Sequence, residues 1–242
     1  MANQYFSFKQ FTVHQNLCAM KVGIDGVLLG AWASIENSSA ILDIGTGSGL
    51  IALMLAQRSK AQENNTQIFA IDVDMDAIAQ ATENIRISPW SNCIECENVA
   101  LQKFALSTHK KFDLIVSNPP FFVNSTKTPT EKRTIARHTD SLTHEELIDN
   151  AIVLLNTTGR ICLILPVNEG LKCIEYAVSK GLFCNKKTVV YPKNGAIAKR
   201  LLIELSFQAD NCVESELVIE SNERHQYSPQ FTDLAKDFYL KL

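Results

Sequence analysis

The sequence predicts an α/β fold, a doubly wound, mostly parallel, seven-stranded sheet with helices on both faces and a short N-terminal extension. Three observations lead there. From residue 40 onward, short β-branched and apolar runs alternate with helix-length amphipathic stretches. A glycine-rich turn, Asp43-Ile44-Gly45-Thr46-Gly47-Ser48-Gly49, stands between the first such strand and the first such helix. Further on, Pro119 and Pro120 end a buried strand, because neither proline can donate to a ladder.

The elements follow in order. Residues 5–13 alternate apolar and polar, which predicts a short strand or hairpin. Asp25 is placed to cap an apolar helix over 27–32. Residues 40–43 read as a strand and 50–58 as a helix; 67–71 form the next strand, ending in Asp72. A helix over 76–87 buries Ile78, Ala81 and Ile85 and stops before Pro89. Strands are expected at 93–96 and 112–117, then a polar loop at 124–140. Thr143 and Glu146 form a capping box for a helix over 143–155. A strand at 161–165 ends at Pro166, a helix spans 171–180, and 188–191 with 201–207 make a candidate antiparallel pair.

A chain of 242 residues, 46% hydrophobic, suffices for one domain over 1–242: an extension at 1–35, a core at 36–210 and a tail at 211–242. Net charge is −3 and the sequence pI about 6.0, which argues against a uniformly basic nucleic-acid binder while leaving room for a local basic face. The seven cysteines are scattered, and Cys93 with Cys96 lacks the second pair or histidine of a zinc site, so no metal is expected. Reduced cysteines suit the cytosol, and no apolar run reaches membrane-spanning length. A soluble, cytoplasmic protein without membrane contact is the expectation.

Two stretches carry chemistry. In the glycine turn, Gly45, Gly47 and Gly49 permit close approach of a ligand, but Leu50 stands where a dinucleotide fold wants its last glycine. Asp43 would repel a pyrophosphate and attract an ammonium, and Asp72 can accept from both hydroxyls of a ribose. Together these favour S-adenosylmethionine over a nicotinamide dinucleotide. The second stretch is Asn118-Pro119-Pro120-Phe121-Phe122. It holds the Asn118 amide and the Pro119 carbonyl at a rigid strand end beside two aromatic rings. Acceptors there would bind both hydrogens of an aromatic amine and turn its lone pair toward a sulfonium methyl, while Phe121 or Phe122 covers the base. Lys127, Lys132, Arg133, Arg137 and His138 follow in the polar loop, and Lys186, Lys187, Lys193, Lys199 and Arg200 form a second basic group. On the rim of the pocket these charges would hold RNA phosphates.

The chain resembles the class I S-adenosylmethionine-dependent methyltransferases. Asp43 to Gly49 looks like their first motif, Asp72 like their ribose acid, and Asn118-Pro119-Pro120-Phe121 like their amino-methylating motif. It is closer still to the bacterial tRNA1(Val) (adenine(37)-N(6))-methyltransferases. The segment from Lys21 and Asp25 through Trp32, the triplet Ala136-Arg137-His138, and the tail Tyr227-Ser228-Pro229 with Asp237-Phe238-Tyr239-Leu240 carry that likeness, and the first segment is expected either to lid the cofactor through Lys21 and Asp25 or to pack the first helix. The resemblance implies methylation of the 6-amino group of the adenine 3′ of the anticodon in a valine tRNA. Where many relatives carry an acid for the cofactor's adenine, this chain reads Asn98-Val99-Ala100-Leu101, which leaves that contact to the backbone near Ala100 and to apolar packing. A ribosomal RNA guanine 2-amino methyltransferase, whose relatives also carry N-P-P-F, and a catalytically silent RNA-binding or nucleoside-binding module are the competing readings.

Overall fold

The computed structural model describes residues 3–63, 65–120, 142–221 and 226–241. The chain opens with β1 (Tyr5–Ser7), β2 (Thr12–His14) and α1 (Ile24–Trp32). The core runs β3 (Ala40–Ile44), α2 (Leu50–Ala61), β4 (Gln67–Asp72), α3 (Met75–Arg86), β5 (Ile94–Asn98), α4 (Leu101–Ser107) and β6 (Phe112–Ser117). After it come α5 (His144–Leu154), β7 (Leu155–Pro166), α6 (Val167–Ser179), β8 (Phe183–Lys193), β9 (Arg200–Ser206), β10 (Val213–Glu220) and α7 (Pro229–Ala235).

The main sheet has the order β10-β8-β9-β7-β6-β3-β4-β5. Pairings are parallel except where β9 runs antiparallel between β7 and β8. Successive side chains on a strand face opposite ways, so one strand feeds two cores. Leu114 and Val116 join the core that also holds Leu28, Leu53 and Phe231. Ile115, between them, joins the other with Leu147, Leu163 and Ile203. Both faces of the sheet are thus covered, which is why its central strands read as unbroken apolar runs.

From β3 the chain winds outward to β5, then returns to lay β6 on the other side of β3. A crevice opens at such a reversal, outside the carboxyl ends of the strands. The turn after β3 and the prolines after β6 both lie there.

Several local expectations change. The sheet has an eighth strand, β10, inside the segment read as a tail; its first four residues are all exposed, so it shows no buried run. A short helix, α4, follows Ala100 and buries only Leu101 and Phe104. Helix α1 begins at Ile24 with Gly23 as its N-cap and no side-chain cap bond. Asp25 therefore lies inside the first turn instead of capping it. On α3 the buried set is Ala77, Gln80, Ala81, Asn84 and Ile85, so two polar residues share the inner face and Ile78 sits at its margin. The capping box of Thr143 and Glu146 is present on α5. Residues 5–14 form the expected hairpin, and its Phe8 and Phe11 stack at 4.7 Å within the core.

Candidate active site

Strand β3 ends at Ile44, and the glycine turn then bends sharply toward α2. The N–H groups of Gly45 and Thr46 both donate to the Ile71 carbonyl, at 2.9 and 3.1 Å, holding the turn against β4. Gly45 and Gly47 have φ of +71° and +55°, and a Cβ at either would meet nothing within 4 Å. The backbone is therefore bent by residues that project nothing into the space above it, and that space is clear for a ligand.

Two acids frame this turn and do different work. Asp43 is fully buried; one carboxylate oxygen accepts from the Thr46 hydroxyl at 2.7 Å, while Oδ1 has no hydrogen-bond partner among the described residues. Burial pushes its carboxyl up to about 7, against the bonds from Thr46 and the Ala52 backbone. With no accessible surface, Asp43 braces the turn from beneath and does not stand open to an ammonium. Asp72, at the end of β4, is half-buried. Its Oδ2 accepts from the Gly47 N–H at 2.9 Å and its Oδ1 from the Asp74 N–H at 3.0 Å. Burial raises this carboxyl too, opposed by those backbone bonds. Each oxygen keeps a further acceptor site, as a pair of ribose hydroxyls requires. The Asp72 carbonyl in turn receives Asn98 Nδ2 at 3.0 Å and the Val99 N–H at 3.1 Å, setting Ala100 close to Asp72.

The proline corner adjoins this turn. In the β3–β6 ladder Ile44 pairs with Ser117, so the next residues, Gly45 and Asn118, leave neighbouring strand ends together. The strands there are about 5 Å apart. The Ser117 hydroxyl, itself buried, donates to the Ile44 carbonyl at 2.8 Å and ties the two ends directly. Asn118 Oδ1 is buried and without a hydrogen-bond partner among the described residues. A buried amide oxygen left unbonded costs about 1–3 kcal/mol, a cost that a donor at this position would remove. Pro119 is buried and Pro120 exposed.

The N-terminal segment is tied to the same place, by contacts the sequence analysis did not find. Asn84 of α3, fully buried, accepts from the His14 N–H at 2.9 Å and donates to the carbonyls of His14 at 2.8 Å and Ser48 at 2.9 Å. It thereby joins β2 to the glycine turn. Gln80 accepts from the Leu17 N–H at 3.2 Å. Polar residues on the buried face of an otherwise apolar helix were the legible signal. Lys21 donates to the carbonyls of Gln15, at 2.5 Å, and Cys18, at 3.3 Å, so it closes the turn that precedes α1. Burial pushes the Cys18 thiol up to about 11, and Lys21, Asp72 and Asp74 lie close enough to act on it. This turn accordingly borders Asp72.

The remaining candidate residues are placed as follows. Asp25 and Arg200, read as a cofactor residue and an RNA residue, form an ion pair with each other at 2.9 Å. Lys186 stacks over the Trp32 ring at 4.4 Å and Lys187 pairs with Glu214 at 2.9 Å, so both are engaged inside the sheet instead of lining the rim. Lys193 and Lys199 are exposed. Phe121, Phe122, Lys127, Lys132, Arg133, Arg137 and His138 lie outside the described residues. Among the described residues no group of three or more His, Cys, Asp or Glu is gathered as for a metal, and no helix is long and apolar enough to cross a membrane.

A reversal of strand order, a glycine turn at that reversal and an acid at the next strand end define an S-adenosylmethionine-dependent methyltransferase fold. Solved structures share it. A predicted O-methyltransferase from Agrobacterium tumefaciens superposes with a TM-score of 0.68 at 18% identity, covering 88% of this chain and 96% of that one. The ribosomal protein L11 methylase of Lactobacillus delbrueckii subsp. bulgaricus gives 0.51 at 17%, covering 75% and 76%. The family described as Methyltransferase small domain matches residues 27–188. Proteins called tRNA1(Val) (adenine(37)-N6)-methyltransferase are similar along the entire chain: 49% identical in Parabacteroides distasonis and 46% in Trichodesmium erythraeum, covering 100% of both sequences in each case. The Histophilus somni protein of that name is 45% identical over 98% of each. The chain belongs to this tRNA1(Val) (adenine(37)-N6)-methyltransferase family within the small-domain methyltransferases.

Proposed function

We propose that this chain methylates the 6-amino group of adenine 37 in a valine tRNA, with S-adenosylmethionine as donor. One observation carries the reading: Asn118, whose buried Oδ1 has no partner among the described residues, leaves its strand end beside the glycine turn. The residues fit the cofactor. Asp72 would hold its ribose hydroxyls, the turn from Gly45 to Gly49 would lie against its amino-acid portion, and Ala100 would flank its adenine. Bound there, the cofactor supplies an electrophilic methyl.

An adenine amine is a weak nucleophile because its lone pair is drawn into the ring. Asn118 Oδ1 and the Pro119 carbonyl would accept its two N–H bonds and fix the nitrogen so that its lone pair faces the turn. Positioning of this kind accounts for large rate factors without any base. Asn118 stays neutral throughout, and the proton released after transfer leaves to water. Phe121 or Phe122 would cover the extruded base, whose unstacking costs less in a loop than in a duplex. Lys127, Lys132, Arg133, Arg137 and His138 would approach the flanking phosphates.

Nucleoside mass spectrometry after incubation with individual purified tRNAs tests the reading. The expected product is 6-methyladenosine, in valine tRNA. Formation of 2-methylguanosine in ribosomal RNA, or no product at all, would overturn it.

A further inference from the structure

The β8–β9 hairpin stands well above the catalytic corner. Following the ladders across the sheet, Ser117 is level with Leu163, Leu163 with Ile203, and Ile203 with Lys187. Strand β8 continues from there to Lys193 before it turns. At about 3.3 Å per residue the hairpin therefore overhangs the corner by roughly 20 Å. With strands about 5 Å apart, the backbone of Arg200 lies on the order of 12 Å from Asn118 and that of Lys193 on the order of 22 Å.

This overhang is held in place. The Lys199 N–H donates to the Val190 carbonyl at 2.9 Å, and the Ala196 N–H closes the tip on Lys193 at 3.2 Å. Gly195, at φ +70°, takes the bend. Strand β10 runs beside β8 up to the pair Glu220 and Lys193, and the Asn194 N–H reaches the Ser221 carbonyl at 3.4 Å. Below the tip, the pairing of Arg200 with Asp25 anchors β9 to α1. At the summit Ile197 is 82% exposed, between exposed Lys193 and Lys199. Ile197 thus adds one apolar side chain to a tip that is otherwise cationic.

Charge along the same edge of the sheet is divided. The β4 side carries Asp72, Asp74 and Asp76, whereas the hairpin carries Lys193, Lys199 and Arg200, opposed by Asp25 and Glu220. A polyanion entering the corner is turned away from the first side and drawn toward the second.

We propose that the tip of the β8–β9 hairpin is a docking element for the tRNA, with Lys193 and Lys199 on backbone phosphates and Ile197 against bases or riboses beside the modified adenine. Apolar wedges of this type pack on nucleic-acid bases elsewhere. The inference rests on the tRNA reading above and adds the surface that receives the substrate.

The test uses the full-length protein, an unmodified valine tRNA transcript and filter binding over a salt series. Lys193→Gln with Lys199→Gln is expected to weaken tRNA binding about tenfold and to lower the slope of log affinity against log salt by about two. Ile197→Ser is expected to weaken binding about threefold with the wild-type slope, since it removes apolar contact and no charge. Cofactor affinity by calorimetry stays at the wild-type value in all variants, which also reports that they are folded. Wild-type tRNA affinity and slope in the double variant would overturn the proposal. Should the wild-type protein itself form no 6-methyladenosine in tRNA, the functional reading fails first. A wild-type enzyme that methylates tRNA beside variants that bind it normally fails the docking surface alone.

Discussion

The edge of the sheet that carries the site has two unlike halves. Over β3, β4 and β5 nearly every polar group is already bonded: Asp72 by Gly47 and Asp74, the Asp72 carbonyl by Asn98 and Val99, and the Ile71 carbonyl by Gly45 and Thr46. Over β6 and the β8–β9 hairpin the Asn118 amide oxygen has no partner among the described residues, and Lys193, Ile197 and Lys199 are exposed. The first half is a finished mould for a ligand of fixed shape. On the proposed reading the second would offer an acceptor and cations to a large substrate.

Removing the key group of the open half gives the largest effect. Asn118→Ala is expected to lower methyl transfer on the order of 10³-fold, as when an aligned hydrogen-bonding group is lost from other active sites. Cofactor affinity should not change, because the closed half is untouched. A tritiated-methyl assay beside calorimetry reads both, and transfer retained within a few-fold would break the division.

The next test falls on the closed half and reads stability. Asp43 titrates near 7 in the folded protein against an ordinary 3.8, because burial disfavours its charged form. The folded chain holds a proton that the unfolded chain releases. The stability this provides is complete below about pH 4 and is lost as pH rises through 7. Asp43→Asn lacks this loss, so wild type should fall relative to the variant by about 3 kcal/mol between pH 4 and pH 7.5. Urea unfolding of both proteins across that range measures the gap. Parallel curves would mean that Asp43 is charged at neutral pH and faces a cation.

Asp72→Ala should weaken cofactor binding about 30-fold, roughly 2 kcal/mol for two lost hydrogen bonds to a carboxylate. In saturating cofactor its transfer rate should stay within a few-fold of wild type. A rate loss as large as that of Asn118→Ala would erase the distinction between mould and corner.

The two halves were also unequally legible in the sequence. The closed half is local: a strand, a glycine turn and a helix are contiguous, and their apolar runs and glycines state the geometry directly. The strand ending at Ser117 was equally plain, because both its faces are buried. What escaped depends on distant partners or on few buried residues. Asp25 sits before an apolar run like a cap, yet its partner is Arg200, 175 residues away. Lys186 and Lys187 look like a rim, but Trp32 and Glu214 hold them within the sheet. Strand β10 alternates too weakly to be seen, since mainly Leu217 is buried.

The smallest expected effect concerns the seam between the halves. The Ser117 hydroxyl, donating to the Ile44 carbonyl at 2.8 Å, is the side-chain bond that joins the corner to the turn. Ladder bonds between β3 and β6 fix the strands, but they end at this level. Beyond it the separation of Asn118 from Gly45 depends on how the two strand ends splay. Ser117→Ala removes the tie and costs about 1 kcal/mol of stability, as one buried hydrogen bond does. An acceptor displaced by a fraction of an ångström still binds an amine but aligns it less well, so the maximal rate should fall about tenfold with KM for tRNA unchanged. Ser117→Thr restores the hydroxyl and should recover most of the rate. A folded Ser117→Ala enzyme with wild-type kcat would mean that the two prolines alone set the corner, and that the two halves meet through the ladder and nothing else.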